Sequence, residues 1–243
     1  MSKILLVTGA SSDVGKCLIE HVANNYDTII CHYHSSTAII EDLNVQFGDR
    51  IVPLQADFAD AKQTDKFVQM VLERGLAPEH FVHLSSSNSS SVDVRFGKTD
   101  RKSFETELAI TFLSAVVCCQ AFVPLMTKAK CGKVIFMLSS LMMGKPAKPY
   151  LTAYTCVKHA LSGLMESLSA EYARKGVTVN AVSPSMMDTK FLKIPDIVKE
   201  INASASPLKR LLTPSDVAPA FEFLLSSGAD TVTGQNIPVT GGA

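Results

Sequence analysis

The stretch KILLVTGASSDVG, residues 3–15, joins a run of apolar residues to a glycine-containing turn, and a helix-like pattern follows. In an α/β sheet, such a strand–turn–helix unit brings the N-terminus of the helix to the edge where ligands bind. The free backbone N–H groups and the helix dipole favour a pyrophosphate there. We expect Gly9 to form the tight turn and Gly15 to allow close packing of the helix. A glycine-rich turn alone is weak evidence for a phosphate site, but its position between a strand and a helix strengthens that evidence.

Asp13 stands where a third glycine might be expected in this turn. We predict that Asp13 caps the helix that follows, because a carboxylate accepts backbone N–H bonds and favours the positive helix end. Its charge would then weaken a phosphate site without abolishing it. Lys16 would offset part of that charge if its side chain turned back towards the site.

Short apolar runs alternate with segments of helical periodicity along the whole chain. The runs predicted as strands are 3–8, 28–33, 51–55, 81–85, 133–139, 177–182 and 236–239. The predicted helices are 14–25, 62–75, 103–127, 154–175 and 215–226. This alternation predicts a doubly wound α/β fold, in which helices cover both faces of a seven-stranded parallel sheet. No composition break divides residues 1–243, so we expect a single domain.

The composition excludes several classes of protein. Apolar residues make up 47% of the 243 residues, enough for a sizeable core, and 23 basic residues balance 23 acidic ones. This balance gives no reason to expect binding to nucleic acid or to an anionic membrane. The six cysteines form no CxxC pair and follow no secretory signal, which predicts reduced thiols and a cytoplasmic location. His32 and His34 form an HxH pair, but no third ligand cluster is visible, so we predict no metal.

The stretch LAITFLSAVVCCQAFVPLM, Leu108 to Met126, has 19 residues without a charge and approaches the length of a membrane span. It also contains several polar residues and a proline. A helix that is apolar all round can instead be buried in a large core or between subunits. We favour burial over a membrane span.

Two segments, 85–101 and 188–213, have the composition of loops on the domain. The first is rich in serine. The second carries several large apolar residues, which is too apolar for a plain linker; they are Phe191, Leu192, Ile194, Ile197 and Ile201. We predict that residues 188–213 form a lid over a substrate.

Tyr154 and Lys158 are four residues apart in AYTCVKHAL, so they share one face of a predicted helix. An isolated tyrosine has a pKa of about 10 and is a poor acid or base at neutral pH. A nearby ammonium stabilises the phenolate and lowers that pKa. Such a pair can donate a proton to a carbonyl while a nicotinamide delivers hydride. An ordinary surface tyrosine and lysine remain the alternative.

Ser139 and Ser140 end the fifth predicted strand at its carboxyl edge, where ligands bind in open α/β sheets. A hydroxyl at that edge can hold and polarise the carbonyl of a substrate. A serine that only caps the loop is the alternative interpretation.

Together these features resemble the short-chain dehydrogenase/reductase family over almost the whole chain. The resemblance rests on TGASSDVG at 8–15, on Ser140 with Tyr154 and Lys158, on VTVNAVSPSMMDT at 177–189, and on VTGQNIPVTGG at 232–242. It implies that residues 1–243 form a Rossmann domain that binds NAD(P). The implied activity is the oxidation of alcohols or the reduction of carbonyls.

The resemblance also implies a role for individual residues. Tyr154 would be the general acid/base, Lys158 would lower its pKa and hold the nicotinamide ribose, and Ser140 would orient the substrate. Thr189 would meet the nicotinamide amide and Asp57 the adenine. The implied cofactor-binding set is Gly9, Ser11, Ser12, Asp13, Val14, Gly15, His34, Ser35, Ser36, Asp57, Phe58, Tyr154, Lys158, Pro184 and Thr189.

The chain departs from the family pattern at several positions besides Asp13. The family's NNAG, which follows the fourth strand, aligns with the four residues at 83–86, HLSS. The helix asparagine of the active site aligns with Thr111, and the usual PG is Pro184–Ser185. Ser140 precedes Tyr154 by 14 residues, one more than usual.

The end of the second strand decides the expected cofactor. NAD sites of this kind place an acid there to bind the ribose 2′-hydroxyl, but residues 32–36 read HYHSS. This stretch resembles that of pteridine reductases, which are NADP enzymes of the family. A histidine and two serines can meet a 2′-phosphate, so we predict NADP rather than NAD.

Two functional hypotheses follow. The first is an NADP-dependent oxidoreductase that reduces a small carbonyl compound or oxidises a secondary alcohol. Its pocket would include methionine and leucine side chains, for which a place in the core is the alternative: Leu141, Met142, Met143, Met186 and Met187. An acyl-carrier-bound substrate is a variant, since basic residues at 128–133 and 174–175 form a candidate patch, although helix ends also explain them. The second hypothesis is a catalytically weak relative that binds nucleotide and serves as a regulatory or structural subunit. For either, the family resemblance implies a homotetramer or homodimer assembled through the 108–126 helix and the helix of Tyr154.

Overall fold

The computed structural model describes residues 3–87, 94–143, 149–190 and 195–242. Residues 88–93 of the serine-rich segment lie outside these ranges, as do three of the predicted lid residues, Phe191, Leu192 and Ile194.

The predicted parallel sheet of seven strands is confirmed. The strands are β1 (Ile4–Thr8), β2 (Thr28–Tyr33), β3 (Ile51–Gln55), β4 (His80–His83), β5 (Gly132–Met137), β6 (Val177–Pro184) and β7 (Asn236–Val239). Their order in the sheet is 3-2-1-4-5-6-7, and every pairing is parallel. The strand order reverses between β1 and β4, which opens a crevice at the carboxyl ends of the strands.

Helices cover both faces of the sheet, as the sequence predicts. They are α1 (Asp13–Val22), α2 (Ala38–Phe47), α3 (Ala61–Glu73), α4 (Arg101–Glu107), α5 (Ser114–Ala129), α6 (Thr152–Tyr172), α7 (Asp196–Ala205) and α8 (Pro214–Leu225). Alternate residues of β1 point to opposite faces: Leu5 and Val7 join a core with α1, α2 and α8. Ile4 and Leu6 join a second core with α3, α5 and α6. The apolar strand runs therefore reflect burial on both faces.

Two of the helices were not predicted from the sequence. The first, α2, buries only Ile40 and Leu43, and Thr37 at its N-cap makes no side-chain capping bond, so its amphipathic pattern is faint. The second, α7, lies inside the segment predicted as a loop and buries none of its residues. Of the two, only α2 lacks the apolar stripe on which a prediction from periodicity depends. In α7, Ile197 and Ile201 lie on one face of the helix but are exposed, and the sequence analysis assigned them to a loop that forms a lid.

The predicted helix 103–127 is continuous but not uniform. Asp100 caps its start by accepting the backbone N–H of Ser103, so it begins earlier than predicted. A π-helical segment, Leu108–Leu113, separates α4 from α5, and π-bulges are frequent at functional sites. The whole stretch Arg101–Ala129 is long and apolar enough to span a membrane by length and composition, with 39% of its most apolar window buried. The predicted burial is therefore only partial within one chain: Leu108 and Leu113 are 38% and 46% exposed.

Candidate active site

The glycine turn after β1 has the predicted geometry. Gly9 has a φ of +69°, and a Cβ built on it would stand 3.0 Å from the backbone nitrogen of Ser85. A Cβ on Gly15 would lie 2.6 Å from the carbonyl oxygen of Ala10. Both contacts are to backbone, so neither position accepts a side chain without moving the turn. The expectations for the two glycines are confirmed.

Asp13 does not cap α1, and that prediction is wrong. Ser12 is the N-cap, since its hydroxyl accepts the backbone N–H of Gly15 at 3.0 Å and donates to the carbonyl of Gly9. Asp13 lies in the first helical turn, and its carboxylate accepts the backbone N–H of Lys190 at 2.8 Å. This hydrogen bond links the glycine turn to the segment that follows β6. The adjacent Lys16 does not turn towards the site but pairs with Asp42 at 3.0 Å.

The histidines at the end of β2 have different environments. His32 is buried, stacks on Phe58 with 3.8 Å between ring centroids, and hydrogen-bonds through both ring nitrogens. Burial lowers the pKa of His32 to about 4, so the ring is neutral and supports the turn. His34 is exposed, and its Nε2 lies 3.8 Å from the carboxylate of Asp57. Ser36 lines the same cleft as His34.

Tyr154 and Lys158 share one face of α6 and line the crevice at the carboxyl edge of the sheet. The Lys158 ammonium lies 5.5 Å from the centroid of the Tyr154 ring and donates to the carbonyl of Met137 at 2.7 Å. Burial lowers the pKa of Lys158 to about 8. Burial also raises the pKa of Tyr154, against the lowering that the sequence predicts, because loss of solvation outweighs the opposing hydrogen bond from Ser139.

The Ser139 side chain, rather than that of the predicted Ser140, acts on the Tyr154 phenol and lowers its pKa, against the larger effect of burial. The chain leaves β5 at Met137 and enters a 3₁₀ turn, Ser140–Met142, for which Ser139 is the N-cap. This turn places the Ser139 side chain at the tyrosine and leaves Ser140 elsewhere on the cleft wall. The family resemblance assigned the role to Ser140, although its spacing to Tyr154 is one residue longer than usual; the strand exit favours the adjacent Ser139 instead.

A buried histidine stabilises the π-helical segment at the position of Thr111. The Nδ1 of His83 lies 2.8 Å from the hydroxyl of Thr8, and its Nε2 lies 3.0 Å from the backbone carbonyl of Thr111. Burial lowers the pKa of His83 to about 3, so this bridge between β1, β4 and the helix carries no charge. His83 fills the first position of the HLSS sequence that departs from the family pattern, and it acts here as a structural link.

One cleft of about 1140 Å³ brings most of the predicted residues together. Of the predicted set, the cleft is lined by Gly9, Ser11, Ser12, Asp13, Val14, His34, Ser36, Asp57, Phe58, Ser140, Tyr154, Lys158, Pro184 and Thr189. Gly15 lies behind the turn, and Ser35 faces away from the cleft. The sequence analysis did not predict Ser85 and Ser86 as site residues, although the alignment with NNAG was a signal for both. It named Ser139 with Ser140 at the strand end but gave the substrate role to Ser140.

The match to a family model agrees with this arrangement. Residues 9–243 match the model described as enoyl-(acyl carrier protein) reductase, which belongs to the short-chain dehydrogenase/reductases. The chain belongs to the short-chain dehydrogenase/reductase family. It is therefore an oxidoreductase of the NAD(P)-dependent kind that this family comprises.

Individual relatives resemble the chain over nearly its full length. A 3-oxoacyl-[acyl-carrier-protein] reductase of Synechocystis is 27% identical, and the match covers 99% of this chain and 96% of the relative. The solved structure of ElxO with NADP bound is 24% identical with a TM-score of 0.84, covering 100% and 98% of the two chains. A 3-oxoacyl-[acyl-carrier protein] reductase from Brucella melitensis with bound NAD is 22% identical with a TM-score of 0.85, covering 99% and 90%. The two structures support the shared fold.

Proposed function

We propose that the chain is an NADP-dependent reductase of carbonyl compounds, able to oxidise the corresponding secondary alcohol in reverse, with Tyr154 as general acid/base. The observation that carries this proposal is the placement of one phenol in the cleft beside both Ser139 and the buried ammonium of Lys158. The raised pKa of Tyr154 keeps the phenol protonated at neutral pH, which suits donation of a proton to a carbonyl.

The residues of the cleft fit a dinucleotide cofactor. The turn holds two positions where a Cβ would collide with backbone, which leaves the backbone open to close approach by a pyrophosphate. Ser85 and Ser86 line the cleft, and their hydroxyl oxygens are buried without a hydrogen-bond partner among the described residues. A bound cofactor would offer partners to these hydroxyls and would supply the hydride for carbonyl reduction.

The chain's own groups then divide the remaining work. Ser139 donates a hydrogen bond that orients and polarises the substrate carbonyl, taking the role that the sequence assigned to Ser140. Tyr154 delivers its proton to the carbonyl oxygen as negative charge develops there. Lys158 holds positive charge beside the phenol and, with Thr189, would bind the nicotinamide half of the cofactor, as the family resemblance implies.

The preference for NADP rests on the residues after β2. No acid stands at the end of that strand, where a carboxylate would select the free 2′-hydroxyl of NAD. His34 and Ser36 line this end of the cleft and are exposed, so both can reach a 2′-phosphate. The relatives with bound cofactor include one with NADP and one with NAD, so the likeness of fold alone does not choose between the two.

The proposed substrate is a small apolar carbonyl compound. We propose that residues 188–213 form a lid over it, and that residues 1–243 form a single domain. Leu141, Met143 and Met186 line the cleft and offer adaptable apolar contacts. Asp13 fastens the start of the lid through Lys190. The basic patch that would favour an acyl carrier is interrupted, because Lys133 is buried and paired with Asp230 at 2.6 Å.

We further propose a cytoplasmic homotetramer or homodimer assembled through the Arg101–Ala129 stretch and α6. Exposed Leu108 and Leu113 on that apolar stretch supply the surface to be covered. Light scattering at micromolar concentration tests the assembly: a monomer would contradict it and would leave the apolar surface without an explanation.

Oxidation of NADPH and of NADH across a panel of ketones and aldehydes tests the proposed activity. The expected result is turnover of at least one apolar carbonyl, faster with NADPH. Tight binding of NADPH in a titration without turnover of any panel member would favour the second hypothesis, a nucleotide-binding regulatory subunit.

A further inference from the structure

The Asp13 carboxylate joins two walls of the cleft that are far apart in the sequence. Asp13 lies in the first turn of α1, and its Oδ2 accepts the backbone N–H of Lys190 at 2.8 Å. Both residues line the cleft. The helix itself is capped by Ser12, whose hydroxyl accepts the backbone N–H of Gly15. The carboxylate of Asp13 therefore serves a partner outside its own helix.

The segment after β6 is fixed at successive points by backbone hydrogen bonds. The N–H of Ser185 donates to the last carbonyl of β7 at 3.0 Å. The N–H of Asp188 donates to the carbonyl of Leu212 at 2.8 Å. The bond from Lys190 to Asp13 adds a further fixed point, two residues beyond Asp188. The glycine turn thus helps to fix a segment that approaches the cleft from the other end of the chain.

Thr189 lies between the two fixed residues, Asp188 and Lys190. Its side chain is half-buried and lines the cleft. The family resemblance implies that this side chain meets the nicotinamide amide. A group that is fixed before the ligand arrives costs less conformational entropy on binding. Loss of the bond at Lys190 would remove the fixed point on one side of Thr189.

We propose that Asp13 is a positioning residue: it accepts the N–H of Lys190 and thereby holds Thr189 in place for the nicotinamide of the cofactor. The proposal rests on the function proposed above, in which Thr189 binds the nicotinamide half. It gives a use to an acid at a position where the family pattern has glycine, because the carboxylate binds a protein N–H.

The charge of Asp13 has a second effect, which the experiment must separate from the hydrogen bond. A carboxylate near the glycine turn repels a pyrophosphate, and Lys16 is engaged with Asp42 at 3.0 Å. Loss of the charge therefore favours any ligand with a pyrophosphate, whereas loss of the hydrogen bond disfavours only a ligand with a nicotinamide. Asp13→Asn removes the charge and keeps an acceptor oxygen, while Asp13→Ala removes both. The comparison of these two variants isolates the hydrogen bond.

The first experiment titrates both variants with NADPH and with ADP-ribose 2′-phosphate, which lacks the nicotinamide. We expect the Kd of NADPH to be about tenfold larger in Asp13→Ala than in Asp13→Asn, the effect of one hydrogen bond. The Kd of ADP-ribose 2′-phosphate should be the same in the two variants. Equal Kd values for NADPH would overturn the proposal. An equal loss for both ligands would also overturn it, because that is the result of a general structural change.

A double-variant comparison tests whether Asp13 acts through Thr189. Thr189→Val removes the hydroxyl and should itself weaken NADPH binding. Asp13→Ala added to Thr189→Val should weaken it no further than Asp13→Asn added to Thr189→Val, since the positioned group is already gone. A tenfold difference that persists between these two double variants would show that Asp13 acts on the cofactor by another route.

A third measurement needs no cofactor. Amide hydrogen exchange at Lys190 should be faster in Asp13→Ala than in Asp13→Asn, because only the asparagine retains an acceptor for that N–H. The amide of Asp188, which is bonded to Leu212, is the internal control and should exchange alike in both variants. Equal exchange at Lys190 in the two variants would overturn the proposal.

The positioning role and the proposed reductase fail in distinguishable ways. A wild type that binds NADPH but reduces no carbonyl, with the expected differences between the variants, removes the reductase activity and keeps the role of Asp13. An active wild type whose Asp13→Asn and Asp13→Ala variants bind NADPH equally removes the role of Asp13 and keeps the reductase.

Discussion

The two halves of the cleft are built in different ways. The half around the glycine turn comes from one continuous stretch, β1 and α1, with the end of β2 beside it. The half around Tyr154 is assembled from the loop after β4, the π-helical segment, the exit of β5 and one face of α6. The first half depends on the conformation of the backbone. The second half depends on contacts between side chains that are far apart in the sequence.

The difference explains where sequence reasoning succeeded. Gly15 is required because a side chain would collide with the backbone of the same turn, and Gly9 because it would collide with the backbone just after β4, the neighbouring strand. The glycine motif in the sequence predicts both positions. Ser139 and Asp13 are defined by partners far away in the chain, at 154 and 190. The conformation of a turn depends on neighbouring residues, whereas the electrostatic environment of a side chain depends on how the whole chain packs.

The largest expected effect is in the catalytic half. Tyr154→Phe removes the proton donor but keeps the ring, so kcat should fall by about 10²–10⁴-fold while NADPH binding and melting temperature change little. Steady-state kinetics and a fluorescence titration measure the two effects. Tyr172→Phe, at the far end of the same helix, is the control and should keep wild-type turnover. Near-normal activity of Tyr154→Phe would remove Tyr154 from the mechanism.

The second prediction separates two adjacent serines. Ser139→Ala deletes the hydroxyl that contacts Tyr154 and should lower kcat/KM about a hundredfold, in the range for losing one preorganised donor. Ser140→Ala, one residue along the same cleft wall, should stay within a few-fold of the wild type. The opposite order of the two effects would restore the assignment of Ser140 that the family resemblance implies and would reject the one made from the strand exit.

The third prediction concerns the glycine turn. Gly15→Ala places a methyl group 2.6 Å from the carbonyl oxygen of Ala10, so the turn must shift. We expect a loss of about 1–3 kcal/mol in the free energy of unfolding, the usual cost of overpacking, and weaker NADPH binding. Gly163→Ala is the control, because that helical position has open space and should gain roughly 0.5–1 kcal/mol. Equal stability of the two variants, by denaturant titration, would show that the turn is not tightly packed.

The smallest predicted effect tests cofactor choice. Ser36 lines the cleft after β2, whereas Ser35 does not. Ser36→Ala should reduce the preference for NADPH over NADH by roughly tenfold, the size of one hydrogen bond to a charged group, and Ser35→Ala should leave it unchanged. The measurement is the dissociation constant of NADPH and of NADH for the wild type and for both variants. Equal constants in the wild type would remove the NADP assignment itself.

The sequence by itself determined the sheet, the two turn glycines and the pairing of Tyr154 with Lys158. Buried parallel strands are continuous apolar runs, left-handed and crowded turn positions require glycine, and residues four apart in a helix share a face. Each of these constraints acts over a few residues, so a pattern in the sequence reports it. The weakly amphipathic α2 gave no such pattern, whereas the amphipathic pattern of the exposed α7 was assigned to a loop.

Only the tertiary structure decided the partner of Asp13, the choice of Ser139 over Ser140, and the direction of the pKa of Tyr154. Ser12 took the capping position and left the Asp13 carboxylate to meet Lys190, which is 177 residues away. Burial of the phenol, which follows from packing of α6 against the π-helical segment and β6, outweighs the effect that an ammonium on the next turn suggests. Desolvation and long-range contacts depend on the whole folded chain, and no local stretch of sequence encodes them.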